Sequence, residues 1–405
     1  MKFHGIIVFT LALAIPVFGQ TLPRRTVTSL PEHLDESSGL LTFGRNLLLS
    51  HNDSGGDPEL YIFDTLGNDL GTISIDGATN VDWEDIACDE RFIYIGDFGN
   101  NSHDRTDLRI YKIPIPAVFE EQTITAEVIE FWYPDQTEFP PPDERKVFDC
   151  EAMVALGDSL YIFSKNWSEP FTRWTKCYSL PKTPGSFEAT LLDSFDTGAL
   201  TMYMGQITAA DLSLSGNRLA LLGYGGLWVY SGFSGSDFFG GELVSFSVNM
   251  WDVTQTEGVS FISENEIFYS DELQYVMGFP RGQKLYYADL GEGLAIAEGG
   301  RHLAESFDIS AFPNPFNSAV RISIDGLGAG LAPVRVGIFD VNGRMVYEMT
   351  VGGACMRPAG GIHPARGTTM HEYTWQPDES LPSGVYFVKV NAGDAVSTKR
   401  IIFIK

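Results

Sequence analysis

Glu84-Asp85-Ile86-Ala87, then Phe92-Ile93-Tyr94-Ile95-Gly96-Asp97, decides how the chain is read. An acidic residue opens a short apolar strand. A turn follows, and a second apolar strand ends on polar residues. The same pattern recurs at Glu36-Ser37-Ser38-Gly39-Leu40 with Leu47 to Asp53, and at Glu151-Ala152-Met153-Val154 with Leu160 to Lys165. It returns at Asp211-Leu212-Ser213-Leu214 with Leu219 to Tyr224, and at Glu257-Gly258-Val259-Ser260 with Ile267 to Asp271. A third strand follows each copy, for example Leu108-Arg109-Ile110-Tyr111 and Leu227-Trp228-Val229-Tyr230. Four copies carry a fourth strand, such as Glu127-Val128-Ile129-Glu130. The fifth lacks one, and Arg25 to Leu30, ahead of the first copy, can supply it.

A four-stranded unit of this kind cannot bury both its faces alone, so its copies stack. The expectation is all-β: a five-bladed β-propeller over residues 21–290, closed by the N-terminal strand. Six blades remain the alternative, because the long interval between the second and third copies holds the Pro-rich stretch Pro134 to Asp143. Residues 1–20 read as a signal peptide, with Lys2 before the apolar run Ile6 to Val17 and small Gly19 near the cleavage point. Residues 291–310, rich in Gly, Ala and Glu, read as a linker, and residues 311–405 as a small β-sandwich with a hairpin turn at Asn342-Gly343.

The 405 residues carry 53 Asp+Glu against 27 Lys+Arg, a formal charge of -26. A nucleic-acid partner is excluded on that ground, because phosphate backbones need Lys and Arg to displace their counterions. No stretch after the leader reaches the roughly 18–20 apolar residues of a membrane span. The chain is expected to be monomeric. Cys88, Cys150, Cys177 and Cys355 form no CxxC pair; one bridge or buried free thiols are both open.

The repeat gives part of the acidity an address. Glu36, Glu84, Glu151, Asp211 and Glu257 open the inner strands at equivalent places, and together would ring one mouth of the channel. Carboxylates that converge raise one another's pKa. They either cap backbone N–H groups or hold a cation, for which Ca²⁺ is suited by its six to eight oxygen ligands in tolerant geometry. The second strands end at the same rim, which would then carry Asn52, Asp53, Asp97, Lys165 and Asp271, with Tyr224 and Trp167 near them, as a ligand-binding edge. No nucleophile elbow, zinc-protease motif, phosphate loop or dinucleotide fingerprint occurs.

Two resemblances add to this reading. Phe312-Pro313-Asn314-Pro315-Phe316-Asn317, Ile338 to Arg344, Pro382 to Phe387 and Lys399 to Lys405 together resemble the C-terminal sorting domain of the type IX secretion system of Bacteroidetes-like bacteria. That resemblance implies export through the type IX machinery to the surface or surroundings of a Gram-negative cell. Its one departure is the insert Gly352 to Met370. The acidic openings of the inner strands are more loosely similar to calcium-containing propeller hydrolases of the lactonase-like, phytase-like and calcium-activated nucleotidase families. Three functions follow as expectations: an extracellular binding module with room for a cation in its channel, a Ca²⁺-dependent hydrolase of phosphoesters, lactones or glycans, or a purely structural surface protein.

Overall fold

The computed structural model describes residues 20–248, 254–291, 308–327, 334–340, 344–351, 369–378, 381–392 and 395–405. The expected signal peptide, most of the linker, the Asn342-Gly343 turn and most of the Gly352 to Met370 insert lie outside the described residues. Nearly every described element is a strand, and the one α-helix is the single turn Met202–Gly205.

Five sheets follow one another along the chain. Their inner strands are Ser37–Phe43, Trp83–Cys88, Asp149–Leu156, Ile207–Leu212 and Thr256–Phe261. From each, three antiparallel strands run outward in sequence order through the first four sheets, ending for instance at Asp69–Asp76 and Glu242–Ser247. The fifth sheet takes its outer strand from the other end of the chain: Arg24–Ser29 pairs antiparallel with Lys284–Asp289. The stretch between Tyr133 and Phe148 contains one 3-10 turn, Asp143–Arg145, and no strand, so it adds no sixth sheet.

Each sheet buries both faces, because its strands alternate two sets of apolar side chains. Five cores result, one between each pair of neighbours. Leu41, Leu49 and Ile62 of the first sheet meet Ile86, Ile93 and Tyr111 of the second. Ile110 and Ile129 meet Met153 and Ile162, Val154 and Phe163 meet Leu221 and Trp228, and Leu222 and Leu227 meet Phe261 and Tyr269. The last core returns to the start, with Ile262, Phe268 and Leu285 against Leu40, Leu48 and Phe63. Burying one such side chain is worth about 1.5–3 kcal/mol, so the propeller-like cyclic order is held mainly by contacts between sheets.

The rim shows a feature that the repeat does not announce. Gln122–Thr125 adds a parallel strand to the edge of the first sheet, Gly185–Glu188 to the second, and Gln20–Thr21 to the fourth. The first two come from the sheet that follows, so they tie neighbours together while covering an edge that would otherwise offer unpaired N–H and C=O groups. Cys150 and Cys177 are buried free thiols.

The C-terminal region has two sheets. Asp308–Phe312, Val320–Leu327 and Thr369–Trp375 form one; Met345–Val351, Val334–Asp340, Gly384–Ala392 and Ala395–Phe403 form the other. They share a core of Ile322, Ile324 and Trp375 against Val336, Ile338, Val388 and Ile401. Among the described residues no helix is long and apolar enough to cross a membrane.

Candidate functional site

Register places the site. The second, third, fourth and fifth inner strands each carry a β-bulge near their start, leaving Glu84, Glu151, Thr208 and Glu257 as the extra residues. A bulge re-aims its side chain and bends the strand. In the first sheet Ser37 pairs with Asn52 and Ser38 with His51, so Ser38 takes the position of Glu84. Three glutamates and two hydroxyls therefore stand where five carboxylates were expected. The hydroxyls tie neighbouring inner strands: Ser38 donates to the Glu84 carbonyl and Thr208 to the Thr256 carbonyl.

Glu36 and Asp211 are the two departures from the expected ring. Glu36 lies two residues before Ser38 and is exposed; its N–H donates to Asn52 Oδ1 at 3.3 Å and its carbonyl accepts from the Asp53 N–H at 2.9 Å. Asp211 lies three residues beyond Thr208 and accepts from the Phe261 N–H at 2.7 Å, which pins the fourth inner strand to the fifth. Because three residues is an odd number along a strand, Asp211 also points to a different face.

Glu84, Glu151 and Glu257 open into a cavity of about 520 Å³ together with Asp53, Lys165 and Glu272. Trp167, Tyr203 and Tyr224 give it aromatic walls, and Gln206 and Gln255 line it as well. Five carboxylates thus face one ammonium. Of the expected rim, Asp53 and Lys165 reach this cavity and three residues do not. Asn52 donates to the His33 carbonyl. Asp97 pairs with Arg105 at 3.0 Å and accepts from the Tyr111 hydroxyl. Asp271 accepts from the Lys284 N–H and the Tyr286 hydroxyl, each at 2.9 Å.

Lys165 is the hub. Its ammonium pairs with Glu151 and donates to the Tyr224 hydroxyl at 3.1 Å. Tyr224 in turn donates to Glu257 Oε1 at 2.7 Å. The ammonium also lies 5.4 Å from the Trp167 ring and 5.1 Å from that of Tyr224. Burial disfavours its charge, but Glu151, Tyr224 and Glu257 more than offset this and hold the pKa well above the ordinary lysine value. The carboxyls move upward for the same two reasons, desolvation and mutual repulsion. Glu84 is raised well above its usual range by burial, then by Glu151, Asp53, Asp149 and Asp82. Burial, with Asp82 and Glu257, lifts Asp53 to about 7; burial, with Asp149, lifts Asp82 to about 6. Glu272 reaches about 9, through burial and then Glu257.

Two groups of carboxylates have the spacing of a cation site. Oxygens of Asp53, Asp82 and Glu84 lie within 4.8 Å of one another, and so do oxygens of Glu84, Asp149 and Glu151. Ca–O bonds of about 2.3–2.6 Å put two ligand oxygens at most about 5 Å apart, so both groups fit and share Glu84. Glu151 Oε2 and Asp53 Oδ1 are buried without a hydrogen-bond partner, as a coordinating oxygen would be. Asp149 is held by Trp167 Nε1 and by the Asn100 N–H, each at 2.6 Å.

Asp82, Asp149 and Gln255 were missed from the sequence, yet a signal was there. Asp82-Trp83-Glu84, Asp149-Cys150-Glu151 and Gln255-Thr256-Glu257 share a polar residue two positions before the glutamate. Residues two apart on a strand share a face. Glu272 and Asp53 are likewise paired, each lying one residue past the end of a second strand.

Beneath the cavity Asp85 closes the centre. It is fully buried. Its Oδ2 accepts from Met153 N–H at 2.8 Å and Ala210 N–H at 3.1 Å, and its Oδ1 from Ile86 N–H at 2.9 Å. One carboxylate therefore links the second, third and fourth inner strands.

Residues 310–355 match the family described as the secretion system C-terminal sorting domain. This tail marks the chain for secretion by the type IX system to the cell surface or extracellular space, as in Bacteroidetes. No curated protein matches the chain. Among solved structures it is similar to the lignostilbene dioxygenase of Pseudomonas brassicacearum at 10% identity and a TM-score of 0.30, over 59% of this chain and 58% of that one. It is also similar to the WD40 domain of SCAP from fission yeast (10% identity, TM-score 0.26, 95% and 90% covered). A third is dimeric latent PorU of Porphyromonas gingivalis (9%, 0.19, 95% and 34%). Scores this low carry no argument about fold or function.

Proposed function

We propose that the chain is a secreted five-bladed β-propeller that binds a ligand in its central cavity, with a divalent cation, Ca²⁺ by its ligand chemistry, held at the cavity floor. The five-bladed reading rests on the cyclic order of the five cores and on the N-terminal strand completing the fifth sheet. The binding reading is carried by one observation: five carboxylates and a single ammonium line one cavity, and buried oxygens of Asp53 and Glu151 have no partner. Such a charge excess is costly in a low-dielectric site unless a cation or protons offset it. Asp53, Asp82, Glu84, Asp149 and Glu151 are the oxygen donors, and a bound cation would orient a ligand's oxygens.

Calorimetric titration of the full chain with Ca²⁺, alongside thermal melts in Ca²⁺ and in chelator, tests this. The melting midpoint should rise with Ca²⁺ concentration, by the linkage expected of a ligand that binds only the folded state. The rise should be lost in an Asp82→Asn/Glu84→Gln double variant. An unchanged midpoint over a wide Ca²⁺ range refutes the cation site.

One observation favours a second reading, a Ca²⁺-dependent hydrolase. Asp82, Asp53 and Glu272 are lifted to about 6, 7 and 9 in the same cleft, and carboxyls poised in this range are the ordinary equipment of acid–base catalysis. Turnover on phosphoester, lactone or glycoside panels that falls in Glu84→Gln and Glu151→Gln would support it, and silence on all panels removes it.

A further inference from the structure

The cavity has a second half that the cation reading does not use. Glu257 and Glu272 belong to neither of the two carboxylate groups with cation spacing. They face one another across Gln255, whose Nε2 lies 3.4 Å from Glu257 Oε1 and 3.5 Å from Glu272 Oε1. Tyr224 and Gln255 take up Glu257 Oε1, whereas Glu257 Oε2 has no partner although only 4% of the residue is exposed. Beside this pair Tyr203 stacks on Tyr224 at 5.0 Å between ring centroids, and it remains 44% exposed at the edge of the cavity.

The same cavity already shows what such a frame holds. Lys165 places its ammonium against Glu151, with the faces of Trp167 and Tyr224 about it. A buried carboxylate combined with an aromatic face is the arrangement that stabilises an alkyl ammonium, through charge-assisted hydrogen bonds and attraction to the ring quadrupole. On the Glu257–Glu272 side the frame is present, and among the described residues no ammonium pairs directly with either carboxyl; Lys165 reaches Glu257 through the Tyr224 hydroxyl. A neutral polyol would offer this carboxyl pair no cationic partner.

We propose that the Glu257–Glu272 side of the cavity, walled by Tyr203 and Tyr224, binds a primary alkyl ammonium group carried by the ligand. The group reaches it as a free amine or as a lysine side chain of a peptide. This rests on the reading of the cavity as a ligand site, and it does not depend on Ca²⁺ filling the other half.

Calorimetry with the full chain, in saturating Ca²⁺ and again in chelator, tests it with four probes: cadaverine, the blocked tripeptide acetyl-Gly-Lys-Gly-amide, n-hexanol and maltose. At least one of the two ammonium probes should bind and n-hexanol should not; which one binds identifies the source. Glu257→Gln and Glu272→Gln, near-isosteric and compatible with the fold, should each weaken binding at least tenfold. Tyr203→Ala should weaken it several-fold, whereas Tyr203→Phe, which keeps the ring stacked on Tyr224 and loses only the hydroxyl's bond to the Thr254 carbonyl, should not. Binding of neither amine to protein that still binds Ca²⁺ overturns this inference and leaves the cation reading standing. Equal binding of n-hexanol, binding of maltose alone, or amine binding that survives both glutamine variants yet disappears in Glu84→Gln also overturns it.

Discussion

Removing the carboxylate of Asp85 is the sharpest test of how the cavity floor is built. In Asp85→Ala three buried backbone N–H groups, on Met153, Ala210 and Ile86, lose their acceptor at once. Each orphaned buried donor costs about 1–3 kcal/mol, so the expected loss is about 3–9 kcal/mol, a large part of the roughly 5–15 kcal/mol that holds a folded domain. Asp85→Asn separates the contributions. With its oxygen at the Oδ2 position it still accepts from Met153 and Ala210, but its amide then faces the Ile86 N–H, donor against donor. Its loss should be about 1–3 kcal/mol. Urea unfolding followed by tryptophan fluorescence reads both, with the exposed Asp57→Ala as the control expected within about 0.5 kcal/mol of wild type. If Asp85→Ala unfolds within about 1 kcal/mol of wild type, the carboxylate does not hold the three strands, and the account of the floor fails.

Further outcomes follow from the same geometry. Asp211 is lifted to about 7, chiefly by burial; a raised carboxyl lets the folded state hold a proton that the unfolded chain has released, so its contribution falls as pH rises from about 4 through 7. Asp211→Asn should flatten that slope in unfolding measured from pH 5 to pH 8. Gly39→Ala should destabilise by more than about 2 kcal/mol in the same assay, since φ is +64° and a Cβ would lie 2.9 Å from the Ile86 backbone nitrogen. Tyr224→Phe breaks the link from Lys165 to Glu257 and should cost about 1–3 kcal/mol, seen as a lower urea midpoint. Deleting residues 308–405 should abolish release from a type IX-competent host, scored by cell fractionation and immunoblotting, while leaving the five-sheet body folded.

How much was legible in the sequence depended on whether a feature is local. Two-residue alternation and recurring turns are properties of short segments, so the all-β character, the five repeats and the completing role of Arg25 to Leu30 could be read directly. The sorting tail could be read for the same reason, as four linear motifs in order. Glu84, Glu151, Glu257, Asp53 and Lys165 were legible because their repeat positions bring them to one mouth. Glu36 and Asp211 share the linear spacing of those acids but not their inward position. A bulge decides which residue turns inward, and it is set by pairing with the next strand, which a single segment does not display.

By itself, then, the sequence determined the class of fold, its repeat and its export. Those depend on periodicity, composition and linear motifs. Tertiary structure alone decided the chemistry of the centre. It replaced the expected five-acid ring with three glutamates and two hydroxyls, and brought Asp82 and Asp149 beside Glu84. It set Lys165 between Glu151 and Tyr224 and left Glu257 Oε2 without a partner. The physical reason is that charge interactions depend on distance and burial. Residues as far apart in the chain as Asp53 and Glu272 feel one another only after the sheets have packed around them in cyclic order and removed the water.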